Sequence, residues 1–393
     1  MKRCSMMTVI GIAAVAVLGT GVRARATEAK AGGTPEDVER RARAAIRKGL
    51  DYLKSVQKED GSWSNGNFPA LTALGLWAFA RSEHPDKAAV CKKAAEFVGK
   101  HARDDGSIYK PAGLGRRSGG LSTYNTAVCM IALHAHDRKE YAPQILKARK
   151  FVAESQLQGD SPGAGGFGYD KNPPFLHKVI GAVTGRRNRA DLSNTAWAAR
   201  AIRLTQDLED LREGEEKVDI DWEAALAFVE ELQIRDKDDP TNYGSFGYEK
   251  GGSRGGTRVK KDGTVALRGY GSMTYAGIES MIYAQVDRND PRVRSALAWA
   301  AQHWSVDENP GMGTRGLFYY YNIMGKALSL HGSSILTSPD GKTIPWQKQI
   351  VEKLAAMQAE DGSWVNENNQ FWEGDSALVT AYAILTLQYA IGR

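Results

Sequence analysis

The sequence is short of cysteine and of the cysteine spacings on which redox chemistry depends. Only three of its 393 residues are cysteines, at positions 4, 91 and 129, and none falls in a Cys-x-x-Cys motif. A redox-active dithiol is therefore not expected. Cys91 and Cys129 fall in neighbouring predicted helices, where they either form a disulfide in an oxidising compartment or stay apart as two buried, apolar thiols.

Beyond the first residues the chain also lacks an apolar run long enough to cross a bilayer. The apolar stretch at 6–21 follows Lys2 and Arg3 and precedes an Ala-x-Ala site at 24–26, which is the pattern of a cleavable signal peptide. We therefore predict a signal peptide at 1–26, a short linker at 27–34 and a single domain at 35–393, exported to the periplasm or the extracellular space. Loss of the leader's four cationic residues lowers the formal net charge from +6 to +2, so no nucleic-acid partner is predicted.

What the chain does contain is an internal repeat. The heptad QKEDGSW at 57–63 recurs as QAEDGSW at 358–364, and each copy lies between a helical apolar pattern and an alanine-rich apolar run. Four weaker copies have glycine turns near residues 106, 166, 245 and 312. Six helix-pair repeats predict an all-α fold, an (α/α)6 toroid with six inner and six outer helices. The absence of polar end-caps favours a closed ring over an open solenoid.

The Gln-x-x-x-Gly-x-Trp heptad followed by a helix with Thr-Ala resembles the QW-motif repeat shared by squalene–hopene cyclases and the β-subunits of protein prenyltransferases. The resemblance covers nearly all of the chain from about residue 35 to 391. It implies an α/α toroid whose central cavity is lined by aromatic rings, which in the related enzymes stabilise carbocations. It is informative about the fold rather than about the chemistry.

The catalytic signatures of these enzymes are missing. Cyclases of this type protonate the substrate with an Asp-x-Asp-Asp-Thr-Ala motif, whose matching place here is 191–196, where Ser193 and Asn194 replace two acids. A hydroxyl group cannot protonate an alkene. The zinc-ligand motif Asp-x-Cys is absent as well, so no metal and no cofactor is predicted. The weak catalytic candidates are Asp191, Glu373 and Asp375, although helix N-capping is the favoured interpretation of Asp191 and Asp375.

Candidate ligand-binding residues lie at the starts of the predicted inner helices. The cavity candidates are Tyr124, Asn125, Asn194, Tyr270, Tyr275, Tyr319, Tyr320 and Tyr321. Basic loops before these helices predict an anion-binding rim, because parallel inner helices bring their positive ends to one side; its candidates are Arg187, Arg189, Arg258 and Arg268. The alternative is that solvated loops simply collect basic residues.

An apolar insert occupies residues 175–183, beginning with Phe175 and ending with Val183. It is either a lid, a peripheral contact with a membrane surface or a segment packed on the rim. The leading hypothesis is an exported, terpene-cyclase-like protein whose cavity binds an apolar or isoprenoid-like ligand, with catalysis left open. The alternatives are a carbohydrate-active lyase or hydrolase, which would need two acids across the cavity, and a non-enzymatic binding scaffold.

Overall fold

A computed structural model describes residues 34–113, 119–161, 163–171, 189–214, 216–260 and 262–392. The predicted signal peptide, almost all of the linker, Arg187 and the insert at 175–183 lie outside these residues. The described part contains twelve α-helices in six consecutive pairs. The all-α fold predicted from the repeat is therefore confirmed.

The first three pairs are α1 Pro35–Ser55 with α2 Pro69–Ala80, α3 Lys87–Gly99 with α4 Ser122–Asp137, and α5 Ala142–Ala153 with α6 Leu192–Leu204. The last three are α7 Trp222–Glu231 with α8 Gly271–Tyr283, α9 Pro291–Gln302 with α10 Leu317–His331, and α11 Trp346–Met357 with α12 Ser376–Ala390. Two small antiparallel hairpins decorate the loops, β1 Thr257–Val259 with β2 Val265–Leu267, and β3 Leu336–Thr337 with β4 Thr343–Ile344. Short 3-10 turns cover Gln206–Leu211 and Gln370–Trp372.

The even-numbered helices form the inner ring. Each packs against the next one along the chain, and α12 packs against α2, which closes the circle. Burial follows this arrangement: every residue of the inner helix α2 is buried, whereas the outer helix α1 buries one face of small and aliphatic side chains. Among the described helices none has the combination of length and apolarity that crossing a bilayer requires.

The repeated glutamine links consecutive outer helices. The Gln57 side-chain amide donates to the Gly61 carbonyl in its own turn, at 3.1 Å, and to the Val90 carbonyl in α3, also at 3.1 Å. It thereby fixes the turn to the next outer helix. The same pair of bonds is made in the third, fourth and sixth repeats by Gln156, Gln233 and Gln358.

The glycine of the motif is required by close packing. Gly61 has φ +88°, and a Cβ atom built there would lie 2.2 Å from the carbonyl oxygen of Lys93 in α3. Only glycine combines this left-handed backbone with this approach. Equivalent glycines, each against the following outer helix, occupy positions 106, 165, 244 and 362.

The tryptophan of the motif connects the outer and inner helices. The buried Trp63 indole nitrogen donates to the Leu53 carbonyl at the end of α1, at 2.7 Å. Its backbone nitrogen donates to the Thr72 hydroxyl of α2, at 3.1 Å. The Thr-Ala element noticed in the sequence therefore has a structural role, because its threonine accepts this bond from the turn.

Cys91 and Cys129 are both free and buried, in α3 and α4 respectively. Burial raises the pKa of the Cys91 thiol to about 12, and that of Cys129 well above its ordinary value. The two cysteines therefore do not form the disulfide that was one of the two alternatives. Neither thiol is activated as a nucleophile, since the thiolate is the reactive form.

Candidate functional site

A cavity of about 260 Å³ lies where the inner helices begin. All six inner helices, or the turns that lead into them, contribute to its wall, which is mainly aromatic and aliphatic. The exposed side chains of Phe371 and Arg254 stand at its mouth. The aromatic wall consists of Phe68, Tyr124, Tyr169, Tyr248, Tyr270, Tyr319, Phe371, Trp372 and Tyr382.

Several hydroxyl groups of this wall are hydrogen-bonded within the protein. Tyr169 and Tyr248 hydroxyls lie 3.1 Å apart, and the Tyr319 hydroxyl lies 2.7 Å from Ser193 Oγ. Burial raises the pKa of Tyr169 to about 12 and that of Tyr319 further, so the phenols stay neutral. Apart from Arg254 and Arg315, which also line it, the cavity therefore offers a ligand mainly ring faces.

Backbone strain is concentrated around the same cavity. Leu121, Phe371 and Trp372 have φ of 60°, 57° and 70°, a left-handed conformation that bulky residues rarely adopt. They are three of the five non-glycine residues with positive φ in the described part of the chain, and all three line the cavity. Strain of this kind persists where the surrounding structure holds the residue in place, and it is found mostly at ligand-binding and switching sites.

Below the cavity the axis of the ring is filled by side chains. Trp77 of α2 meets Trp197 of α6, with ring centroids 6.4 Å apart, although these helices are not neighbours in the ring. Behind them Arg200 of α6 donates to both carboxylate oxygens of Glu279 in α8, at 2.5 and 2.6 Å, with both side chains fully buried. The opening is thus confined to the end at which the inner helices start.

Asp191, the first acid of the cyclase-like segment, is the N-cap of α6. Its carboxylate accepts two hydrogen bonds from Asn194, one from the backbone nitrogen at 2.9 Å and one from the side-chain amide at 2.7 Å. Burial raises its pKa to about 6, since desolvation outweighs the hydrogen bonds from Asn194 and Tyr248. Asp191 therefore stands behind the Tyr248 hydroxyl and does not itself line the cavity.

Glu373 and Asp375 also cap helices. Buried Glu373 accepts hydrogen bonds from the backbone nitrogens of Tyr319 and Phe318 at the start of α10, at 2.7 and 3.2 Å. Asp375 accepts a hydrogen bond from the backbone nitrogen of Leu378 at the start of α12, at 3.1 Å. N-capping by Asp191 and Asp375 is what the sequence favoured. The three acids serve three different helices, and none of them lines the cavity.

The starts of the remaining inner helices, α2, α4 and α8, are also capped by side-chain oxygens. The backbone nitrogens of Ala70, Ser122 and Ser272 donate hydrogen bonds to the side chains of Asn125, Asp170 and Asn309, at 2.9, 2.7 and 3.0 Å. Six helix starts do gather on one rim, but each has a side-chain acceptor. Their positive ends are therefore compensated from within the protein.

The arginines predicted for the anion rim do not form one site. Arg189 lies 3.4 Å from Glu249, and Arg258 pairs with Asp239. The Arg268 side chain is exposed, and none of the three lines the cavity. Two other arginines do, Arg254 and Arg315, which sequence reasoning did not single out as ligand contacts.

Of the predicted cavity residues, Tyr124, Tyr270 and Tyr319 line the cavity. Asn125 and Asn194 are engaged at helix starts, and Tyr275 is buried outside it. Tyr320 and Tyr321 donate their hydroxyls to the carbonyls of Ser305 and Val306, away from the cavity. The six aromatic wall residues that were not predicted are Phe68, Tyr169, Tyr248, Phe371, Trp372 and Tyr382.

One signal for the missing residues was present in the repeat itself. The third and fourth repeats carry the similar turns GFGY at 166–169 and SFGY at 245–248, and the hydroxyls of their tyrosines are hydrogen-bonded to each other in the cavity wall. Aligned repeats place equivalent residues at equivalent positions around a ring. Among the described residues, no group of three or more histidine, cysteine or acidic side chains is arranged to hold a metal ion.

No family model and no curated protein matches this chain, whereas solved structures match it in fold. A ligand-free variant of the type II terpene cyclase MstE from Scytonema superposes with a TM-score of 0.56 at 14% identity, over 91% of this chain and 99% of that chain. A variant of the same enzyme in complex with its substrate geranylgeranyl dihydroxybenzoate gives 0.52 at 13% identity with the same coverage. A D-mannose isomerase gives 0.50 at 10% identity, over 92% of this chain and 99% of that chain. At these identities the similarity shows the fold alone, an α/α toroid like that of the terpene cyclases.

Proposed function

We propose that the protein binds an apolar or isoprenoid-like ligand in the aromatic cavity at the start of the inner helices. The observation that carries the proposal is a wall of nine aromatic rings whose hydroxyls are largely paired with one another. Such a surface is suited to hydrocarbon and unsaturated chains, which offer dispersion contacts and no hydrogen bonds. A terpene cyclase with the same fold binds an isoprenoid-bearing substrate, which supports this ligand class.

The size of the cavity limits the ligand. About 260 Å³ is available, which is slightly below the range of about 300–1,000 Å³ that is usual for small-molecule pockets. This volume suits a chain of about ten carbon atoms better than one of twenty. We therefore infer a short isoprenoid-like chain or a comparably small hydrocarbon.

We propose ligand binding only and do not propose that the protein protonates its ligand as a cyclase does. Ser193 stands where a catalytic acid would be required and is hydrogen-bonded to Tyr319. The nearest carboxyl group, Asp191, is occupied as a helix cap. Aromatic walls stabilise a cation once it has formed, but they do not generate it.

We also infer that the protein acts outside the cytoplasm, because residues 1–26 have the composition of a signal peptide. The N-terminal sequence of protein recovered from the envelope fraction of its host is expected to begin near Thr27. Recovery of the chain with Met1 from the cytosol would contradict this.

Native mass spectrometry of protein purified from that fraction, with solvent extraction of co-purifying lipid, tests the ligand class. A bound short-chain isoprenoid or hydrocarbon is the expected result. Geraniol binding is then measured by the change in tryptophan fluorescence, and two variants locate the site. Phe371→Ala, at the mouth of the cavity, should weaken binding about tenfold, whereas Val365→Ala should leave it unchanged, because Val365 is exposed in the same segment but does not line the cavity.

A carbohydrate ligand is the second candidate, favoured by the toroid shared with a D-mannose isomerase and by ring faces beside two arginines at the mouth. The engagement of all three candidate acids at helix starts weighs against glycosidase-type catalysis. Binding of mannose or an acidic oligosaccharide, abolished by Phe371→Ala and unaccompanied by geraniol binding, would establish this candidate. If neither ligand class binds, the remaining interpretation is a scaffold for a protein partner.

A further inference from the structure

Two arginines at the cavity mouth differ from the other basic residues around it. In the described ranges neither Arg254 nor Arg315 forms an ion pair, although both line the cavity. Arg258 and Lys260 nearby are neutralised by Asp239 and Asp236, and the exposed Arg268 lies outside the cavity lining. The cavity therefore presents positive charge at its mouth.

Both guanidinium groups are held in place by uncharged partners, and Arg254 makes a side-chain hydrogen bond with Tyr248. The Arg254 guanidinium carbon lies 4.1 Å from the centroid of the Tyr248 ring and 5.3 Å from that of Phe371. The Nε of Arg315 donates to the Met312 carbonyl at 2.9 Å, which fixes the side chain just before α10. The terminal nitrogens of Arg315 have no partner within the described part of the chain.

The other polar groups of the cavity are satisfied within the protein. Ser193 bonds Tyr319, and the Asn309 amide donates to Ser272 Oγ at 3.2 Å and to the Arg315 carbonyl at 3.3 Å. The carboxyl group that acts electrostatically on Arg254 is Asp191, which lies behind Tyr248 as a helix cap. Arginine donates only, and its planar fork matches the oxygens of a carboxylate or phosphate.

We propose that the ligand is an amphiphile, with one anionic head held by Arg254 and Arg315 and an apolar tail of about ten heavy atoms among the aromatic rings. This inference rests on the proposed function of the same cavity. The proposed anion site differs from the rim predicted from the sequence, because it consists of two arginines that line the cavity and does not use the helix ends or the other loop arginines. Carboxylate and phosphate heads share the required chemistry.

Isothermal titration of the mature full-length protein with geraniol, geranic acid and geranyl monophosphate tests the proposal, because the three probes share one chain and differ in the head. At least one of the two anionic probes should bind tenfold or more tightly than geraniol, since hydrogen bonds to charged groups are the stronger ones. Tighter binding of geranic acid identifies a carboxylate head, and tighter binding of the monophosphate identifies a phosphate head.

Arg254→Gln and Arg315→Gln should each reduce the affinity for the preferred anion about tenfold and reduce the affinity for geraniol by a clearly smaller factor, because geraniol carries no charged head. Arg268→Gln is the matched control, because Arg268 is exposed near the same rim and does not line the cavity. Equal binding of all three probes, or full anion affinity in both arginine variants, overturns the amphiphile and leaves the apolar site standing. If none of the probes binds, both proposals fail.

Discussion

The two ends of the ring axis are built on the same six helices and are organised in opposite ways. Where the inner helices start, aromatic side chains line an open cavity and three bulky residues keep a left-handed backbone. Towards their other end, Trp77, Trp197 and the Arg200–Glu279 pair fill the axis. The filled end gives the ring a fixed core, which lets the other end retain a cavity and local strain.

The carboxylates illustrate the same contrast. At the open end Asp191, Glu373 and Asp375 accept hydrogen bonds from backbone nitrogens, whereas at the filled end Glu279 faces a guanidinium group. Carboxylates at helix starts organise the frame of the cavity. The buried pair is a charge-compensated plug, which depends on both partners being present.

The largest expected effect on stability comes from the buried ion pair of Arg200 and Glu279. Glu279→Gln leaves the charge of Arg200 buried without its counter-ion and should lower the free energy of unfolding by about 3–5 kcal/mol, measured by urea denaturation. Glu373→Gln, the matched change at the open end, should cost less, about 1–3 kcal/mol, because the amide oxygen keeps the bond from one of the two backbone nitrogens and only the other loses its acceptor. Equal losses in the two variants would contradict the contrast. The double variant Arg200→Met with Glu279→Leu should recover most of the loss.

The next effect is a pH dependence at the open end. The pKa of Asp191 is raised from 3.8 to about 6 in the folded protein, so the native state holds this proton more tightly than the unfolded chain. The associated stabilisation is complete below pH 4 and is lost as the pH rises to about 6, by about 3 kcal/mol in all. Asp191→Asn keeps an N-cap and should flatten this part of the stability profile. An unchanged profile in the variant would show that Asp191 titrates normally.

A smaller effect tests the strain at the cavity. Both Leu121→Ala and Leu121→Gly remove the side chain, but only glycine adopts the left-handed backbone at little cost, so the glycine variant should be the more stable by about 1–2 kcal/mol. At Leu71, a cavity residue inside α2, the order should reverse, because glycine weakens helices by about 1 kcal/mol relative to alanine. The same order at both positions would remove the case for strain.

The smallest effect concerns the paired hydroxyls. Ser193→Ala removes the partner of the Tyr319 hydroxyl and should cost about 1 kcal/mol of stability while weakening binding of the cavity ligand. Ser280→Ala provides the control, because Ser280 bonds the Ala276 carbonyl of its own helix and does not line the cavity. Thermal unfolding and titration with geraniol distinguish the two variants. Identical ligand binding in both would show that the hydroxyl pairing does not shape the cavity.

The sequence predicted the frame well because the frame repeats. Gln57, Gly61 and Trp63 each make contacts that recur in other repeats, so one motif carried information about several junctions. The site does not repeat, and it was predicted only in part. Tyr319, Tyr320 and Tyr321 are consecutive on a helix and point about 100° apart, so a run of three tyrosines places only Tyr319 in the cavity.

The rest of the site depends on where loops meet in three dimensions. Phe371, Trp372 and Arg254 reach the cavity from irregular segments about 120 residues apart, and no period in the sequence connects them. The arginines predicted for the anion rim differ from the two that line the cavity for a similar reason. Ion pairs such as Arg258 with Asp239 are formed by loop conformations that a residue pattern does not specify.

Ring closure has a consequence for the order in which the molecule can form. The Gln358 side chain donates to the Ala45 carbonyl across 313 residues, and the Tyr52 and Ser376 hydroxyls meet across 324. During synthesis α1 and α2 therefore wait, with one flank uncovered, until the last repeat has left the ribosome. Contacts of such high sequence separation slow folding. A circle also has no preferred beginning, so a permuted chain opened between two middle repeats would move this late-forming junction to those repeats and leave its sequence separation nearly unchanged.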